Sequence, residues 1–254
     1  MSNRSFKNNK KTFLNLILNK FGLTISRESA AYRWDGLFRL LNKYNFKINT
    51  FVNVGFAYGT NHIFKHISPK NVICIDPLPE SFENMNLFKK KYLKKNPDSL
   101  FMIFNLALGE KKSKGLISVF KDIASSTFLE QEGYGSSECL EKIEVDIVPF
   151  DELKIDIQNT SLLKIDAQGY ELPILRGMKE SINKFDYVII ESRFIETLKD
   201  SGTFHDLYQL MTFYKFRILD ILSLTRRPLD NATTEVDIIF CKEENKILNM
   251  KRWS

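Results

Sequence analysis

From residue 50 onward the chain alternates short apolar runs of β type with stretches of helical periodicity, the pattern of repeated strand–helix–strand units. Phe51-Val52-Asn53-Val54 is the first run, followed by a turn holding Gly55 and Gly59 and a helix over 60–67. Residues 72–75 form a second run that meets Asp76; Pro77 and Pro79 follow, then a helix with Phe82, Met85, Phe88 and Tyr92 on one face. A third strand is predicted over 100–106. Residues 110–150 break the rhythm, with strands over 116–120 and 143–148 around a polar loop containing Gly133 and Gly135. The rhythm then resumes: a buried strand over 161–165 ending at Asp166, a helix over 171–178, a strand over 187–190 ending at Glu191, and a helix over 204–213. Two last runs, 216–222 and 236–241, are joined by a polar loop with Arg226, Arg227 and Pro228. Such alternation dictates a mostly parallel α/β sheet, with 110–150 as an insertion in one domain.

The preceding residues read differently. Arg4, Lys7, Lys10, Lys11, Lys20 and Arg27 precede the first acid, Glu28, so the net charge of +6 belongs to an arm and leaves the body near neutral. Phe13, Leu14, Ile17, Leu18 and Phe21 form one helical face among those lysines, a candidate contact for anionic membrane or a protein partner. Glu28 opens a further helix through Lys47, with Tyr32, Leu37, Leu40, Leu41 and Tyr44 near 3.6-residue spacing. No other basic run interleaves with aromatics, so no nucleic-acid partner is expected. Cys74, Cys139 and Cys241 form no motif, and neither a membrane-spanning run nor a secretory leader is read; the expected location is cytoplasmic.

Four strand ends carry polar groups: Asn53, Asp76, Asp166 and Glu191. Ligands of an open parallel sheet bind outside the carboxyl ends of its strands, so these side chains are expected to face one crevice. Gly55 and Gly59 let backbone pass close to a ligand where a Cβ would clash. Asp76, 21 residues beyond Gly55, is placed to accept hydrogen bonds from both hydroxyls of a ribose. A dinucleotide site would prefer G-x-G-x-x-G and a helix N-terminus open to pyrophosphate. Here the spacing is G-x-x-x-G and Phe56 and Tyr58 crowd the turn. S-adenosylmethionine (SAM), which has no phosphate, suits that turn better than NAD.

With these residues in view, the chain resembles the FkbM family of SAM-dependent methyltransferases over roughly residues 50–241. Phe51-Val52-Asn53-Val54-Gly55-Phe56-Ala57-Tyr58-Gly59 resembles the family's first motif, D-V-G-A-N-x-G. Ile75 to Phe82 is similar to an acid followed by P-x-P-x-x-F, and Asn105-Leu106-Ala107-Leu108-Gly109 to N-x-A-L-G. Leu163 to Glu171, with Leu175-Arg176-Gly177, resembles K-I-D-x-x-G-x-E and L-x-G; Val236 to Phe240 is also similar. Five blocks in order are specific where one is not. The resemblance implies a Rossmann-like, seven-stranded class I methyltransferase sheet with an antiparallel last strand and the β insertion. It further implies methyl transfer to oxygen, often of a sugar or polyketide hydroxyl. Residues 49–254 would form that domain and 1–48 the basic arm and helices. Asn53, Gly55, Gly59, Asp76, Asn105 and Ala107 are then the cofactor-binding candidates. Asn53 stands where the family usually has an acid, keeping an acceptor but not the charge for the α-ammonium of SAM.

An alcohol acceptor has a high pKa and needs a base near its oxygen. Asp166 and Glu191, ending adjacent strands, are the candidates, with Gln168 to orient the acceptor or the methionine end of SAM. Competing structural roles are a cap on the Glu171 helix or its turn for Asp166 and an ion pair with Arg193 for Glu191. Mg²⁺ is possible on two carboxylates but not predicted, because hard-metal sites want more oxygen ligands. His62 and His66 have i, i+4 spacing but no third ligand for zinc. His205, the stretch Ser125-Ser126-Thr127, and Arg226 with Arg227 (toward an anionic acceptor) are further candidates. The sequence thus predicts an O-methyltransferase for a sugar, glycan or other small hydroxylated acceptor. A catalytically decayed SAM-fold binding module, or an NAD-dependent enzyme, is the alternative.

Overall fold

A computed structural model describes Leu37, Lys43, residues 47–130 and residues 139–250. The basic arm, most of the 28–47 helix and the loop with Gly133 and Gly135 lie outside the described residues. The description below concerns one compact unit, Trp34–Ser254.

The elements follow in chain order as β1 (Thr50–Val54), α1 (Asn61–Phe64), β2 (Asn71–Ile75), α2 (Pro79–Lys95) and β3 (Leu100–Phe104). The insertion holds β4 (Ala107–Leu108), β5 (Ser113–Phe120) and β6 (Cys139–Val148). Then come β7 (Ser161–Ile165), α3 (Glu171–Arg176), β8 (Tyr187–Arg193), α4 (Phe204–Phe213), β9 (Phe216–Arg226) and β10 (Thr233–Lys242).

The main sheet has seven strands in the order β3-β2-β1-β7-β8-β10-β9. Its first five strands pair in parallel, and β10 runs antiparallel to both β8 and β9. This is the Rossmann-like methyltransferase sheet with its reversed last strand, which inserts between β8 and β9. The chain builds outward from β1 to β3, then returns to the other side of β1 with β7. That reversal opens a crevice between the carboxyl ends of β1 and β7.

Strands β1 and β7 are buried along their whole length because helices cover both faces. Val52, Val54, Ile73, Leu163 and Ile165 pack on one side against Leu175, Met178, Phe185 and Met211. Phe51, Leu162 and Ile189 face the other way, toward Ile63, Ile67 and Leu37. Proline in the first turn of α2 and the reciprocal Thr203–Asp206 capping box of α4 fix where those helices begin. The insertion is a second sheet, β4-β6-β5, with β5 and β6 antiparallel.

Several boundaries differ from expectation. The helix predicted over 60–67 is one turn, and the third strand stops at Phe104, because Ala107 and Leu108 leave for the second sheet beside Ile147 and Val148. β8 continues through Arg193, so Glu191 lies within the strand; β9 likewise takes in Arg226. Among the described residues no helix is long and apolar enough to cross a membrane.

Candidate active site

A cavity of about 270 Å³ lies at the carboxyl ends of β1, β2, β7 and β8. That is near the lower end of small-molecule pockets, roughly 300–1,000 Å³, and suits a nucleoside-sized ligand. One half is apolar, lined by Ile75, Leu78, Ala107, Leu108, Ile117 and Phe128. The other is charged, lined by His62, Lys164, Asp166, Glu191 and Asp237, with Gln168 beside them.

Asp76 is fixed by the glycine turn. Its Oδ2 accepts hydrogen bonds from the Phe56 and Ala57 amides at 2.8 and 3.0 Å, and its Oδ1 accepts from Leu78 N at 3.0 Å. Burial pushes this carboxyl up, against the lowering effect of those amides. Asp76 therefore fastens the turn while also lining the cavity, so a ribose would share its oxygens. Asn105 is not among the cavity-lining residues; its Nδ2 donates to Asp76 O at 3.0 Å and Leu78 O at 3.4 Å, bracing the turn that carries Asp76. Ala107 does line the cavity.

Gly55 and Gly59 both line it too, at φ +79° and +97°. The space they leave open is needed first by the chain itself. A Cβ on Gly55 would stand 1.8 Å from the carbonyl oxygen of Asp166, and one on Gly59 would stand 3.0 Å from the Phe56 ring. Asn53 is placed otherwise than expected. Val54 lines the cavity, whereas Asn53 is 0% exposed inside β1, with no hydrogen-bond partner for its amide among the described residues.

The charged half is a network. Lys164 Nζ lies 2.8 Å from Asp166 Oδ2, and Gln168 Nε2 donates to Asp166 Oδ1 at 3.1 Å. Burial pushes Asp166 up, but Lys164, the Gln168 amide and Arg193 outweigh it and hold the carboxyl below its ordinary value. Glu191 behaves oppositely. Burial first, then the Asp166 charge, push it well above the ordinary glutamate value, although Arg193 Nη2 donates to its Oε1 at 2.8 Å. Asp237 is the register partner of Glu191 across β10 and β8, and Ser223 Oγ donates to it. Burial pushes Asp237 up as well. His62 is held down to about 4 by desolvation, then by Lys164 and Lys65, so it is uncharged at neutral pH.

Asp166 does not cap the following helix. That loop is tied by Glu171 Oε1, which accepts from Ala167 N at 2.8 Å and Gly169 N at 3.2 Å. Gln168 holds a left-handed backbone, φ 48°, as does Ala57 in the glycine turn at φ 45°. The insertion spans these two loops: Tyr58 Oη accepts from Ile123 N at 3.3 Å, and Thr127 Oγ1 donates to Gln168 O at 2.7 Å. Ser126 lines the cavity between them.

The remaining candidates lie elsewhere. His205 meets Gln209 on α4, Arg227 pairs with Asp230 at 2.6 Å, and Arg226 donates to Asn231 O; none of the three lines the cavity. No group of three or more His, Cys, Asp or Glu side chains able to hold a metal ion occurs among the described residues. Lys164, Asp237 and Arg193 escaped the sequence reading as site residues. Lys164 and Asp237 did carry a signal: each is a charge set among apolar neighbours in a strand, which a buried sheet tolerates only where the charge is answered.

A family model described as the methyltransferase FkbM domain matches residues 52–218. Among solved structures, a methyltransferase FkbM from Methylobacillus flagellatus is similar, with a TM-score of 0.51 and 18% identity, covering 83% of this chain and 47% of that one. The chain thus spans about half the length of that protein, and the likeness is one of fold. An S-adenosylmethionine-dependent methyltransferase from Clostridium acetobutylicum matches at a TM-score of 0.44 and 8% identity, covering 91% of this chain and 98% of that one. No curated protein matches the chain in sequence.

Proposed function

Because the chain belongs to the FkbM family of methyltransferases, we propose that it is a SAM-dependent O-methyltransferase acting on a hydroxyl of a sugar, glycan or other small hydroxylated acceptor. What supports this is the cavity's division into an apolar half at β2 and β4 and a charged half at β7 and β8. The apolar half suits a purine and the Asp76 oxygens a ribose. Thr60 Oγ1 is buried at the cavity without a partner among the described residues, a hydroxyl left for a ligand to satisfy.

When bound, SAM supplies an electrophilic methyl group. The chain's own contribution is to orient an acceptor hydroxyl and to take its proton. A carboxylate raised toward neutrality is the better proton acceptor for a weakly acidic alcohol. Glu191 is such a group, whereas Asp166 is held ionised by Lys164. Arg193 fixes one Glu191 oxygen, and Gln168 Oε1 lies 3.5 Å from the same guanidinium nitrogen, a bridge that would orient the acceptor.

A second reading, a binding module that has lost catalysis, is favoured by Asn53, which lacks charge and stands apart from the cavity. Calorimetry with SAM and S-adenosylhomocysteine is the test. Failure to bind either sinks both readings, and binding without turnover on any hydroxylated acceptor supports the second. The three unmotivated cysteines support a cytosolic location. The basic arm is proposed to contact membrane or a protein, with nucleic acid not among the partners.

A further inference from the structure

Lys164 is the one cation, apart from the uncharged His62, that lines the cavity among the described residues. Its side chain is 4% exposed, a costly place for an ammonium group. Its register partner on β1 is Asn53, which carries no charge to answer it. Its ion partner is Asp166, at 2.8 Å and 32% exposed, so the pair sits side by side on the cavity wall with the acid nearer the opening. Thr60 lines the same cavity; the residue is 3% exposed, and its hydroxyl has no partner among the described residues.

We infer that Lys164 and Asp166 together receive the amino-acid end of the cofactor, Lys164 with the Thr60 hydroxyl taking the α-carboxylate and Asp166 the α-ammonium. This rests on the proposal that the cavity takes SAM. A buried pair of opposite charges is complementary to a zwitterion laid beside it in the reverse order, because each end then meets its opposite. The desolvation of Lys164 is already incurred in folding, so an arriving carboxylate adds an interaction without a new cost on the protein side. The acids Glu191 and Asp237 complete a surround in which a carboxylate finds its attraction only at Lys164. In this arrangement the charge absent from Asn53 is supplied one strand over, by Asp166.

The test is calorimetry on the full chain with three probes: S-adenosylhomocysteine, its decarboxylated analogue, and 5′-methylthioadenosine, which lacks the whole amino-acid end. Lys164→Met should weaken S-adenosylhomocysteine on the order of ten- to a hundredfold, as for a lost bond between charged groups. The other two probes should change by no more than about threefold, which also reports an intact pocket. Lys164→Arg should restore most of the loss. Thr60→Val, nearly isosteric, should cost several-fold on the homocysteine compound alone. Equal weakening of all three probes by Lys164→Met, or no weakening of any, overturns the assignment and leaves SAM binding standing. If the wild-type chain binds none of the probes, the proposed function fails and this inference with it.

Discussion

Gly55 is the position where a single methyl group should separate fold from site. At φ +79° an alanine backbone sits in the left-handed region, at a cost of roughly 1–2 kcal/mol. Its Cβ would also stand 1.8 Å from the Asp166 carbonyl oxygen, so one of the two loops framing the cavity must move. Overpacking of this kind adds roughly 1–3 kcal/mol. The contact cannot be relieved by a side-chain rotation, because both partners are backbone. Both are also held: Gly55 N donates to Ile75 O at 3.0 Å, and Asp166 N donates to Val54 O at 3.1 Å.

Gly55→Ala should therefore lose about 2–5 kcal/mol, a fall of about 5–15 °C in melting temperature for a domain of this size. It should also abolish S-adenosylhomocysteine binding, because the moving loops carry Asp166 and Ala57. Gly177→Ala is the matched control. Its Cβ would meet Gly109 O at 2.0 Å, a similar clash, but at an ordinary φ of −84° and outside the residues that line the cavity. It should lose roughly 1–3 kcal/mol and keep its ligand. Differential scanning calorimetry with and without ligand reads both terms. A Gly55→Ala protein that melts and binds as wild type would refute the reasoning, as would equal loss of binding in the two variants.

Glu191→Gln should lower turnover by about a hundredfold or more while leaving S-adenosylhomocysteine affinity within a few-fold; a fall in affinity with turnover unchanged would remove Glu191 as the base. Asn53→Leu replaces a buried, unpartnered amide by an apolar group of similar volume and should stabilise by up to about 1–3 kcal/mol in urea denaturation; destabilisation would reveal a partner for the amide. Stability should also depend on pH. The Glu191 pKa is raised in the folded chain, so between its unfolded and folded values the native state binds more protons and stability falls as pH rises. His62, lowered to about 4 from 6.5, contributes the opposite slope, but only below pH 6.5. Above the ordinary glutamate range, the Glu191→Gln variant should therefore show a shallower fall of melting temperature with rising pH than the wild type; identical slopes would deny the raised carboxyl.

The sheet was legible because its strands are buried on both faces and so read as continuous apolar runs between helical periods. The order of polar strand ends then located the crevice, since only the carboxyl edge of a parallel sheet gathers them. Residue-level roles were less legible where one position of register decides them. Asn53 and Val54 both close an apolar run, yet Val54 lines the cavity while Asn53 is buried within β1. Asn105 reads as a ligand contact in the sequence, and in the structure its amide braces the turn that carries Asp76, because a short polar side chain after a strand serves a turn as readily as a ligand.

The ion network was the part no local pattern could give. Asp166 and Glu191 are of similar type, each ending or nearly ending a neighbouring strand, and the sequence treats them alike. Lys164, two residues before Asp166 and so on the same face, keeps that acid charged. Glu191 has Arg193 in the same relation, but shares this guanidinium with Glu171 and Glu235 and faces Asp166 and Asp237 besides. One cation for one acid on β7, against one for several on β8, is enough to drive the two carboxyls in opposite directions. That asymmetry is why the proposed mechanism gives binding to Asp166 and proton transfer to Glu191. It also makes Arg193 a sharper probe than either acid. Arg193→Met should raise the Glu191 pKa further and leave three acids without their shared cation, so its melting temperature should drop most at high pH. A uniform drop across pH would mean that Arg193 supports packing and does not set the charge state of Glu191.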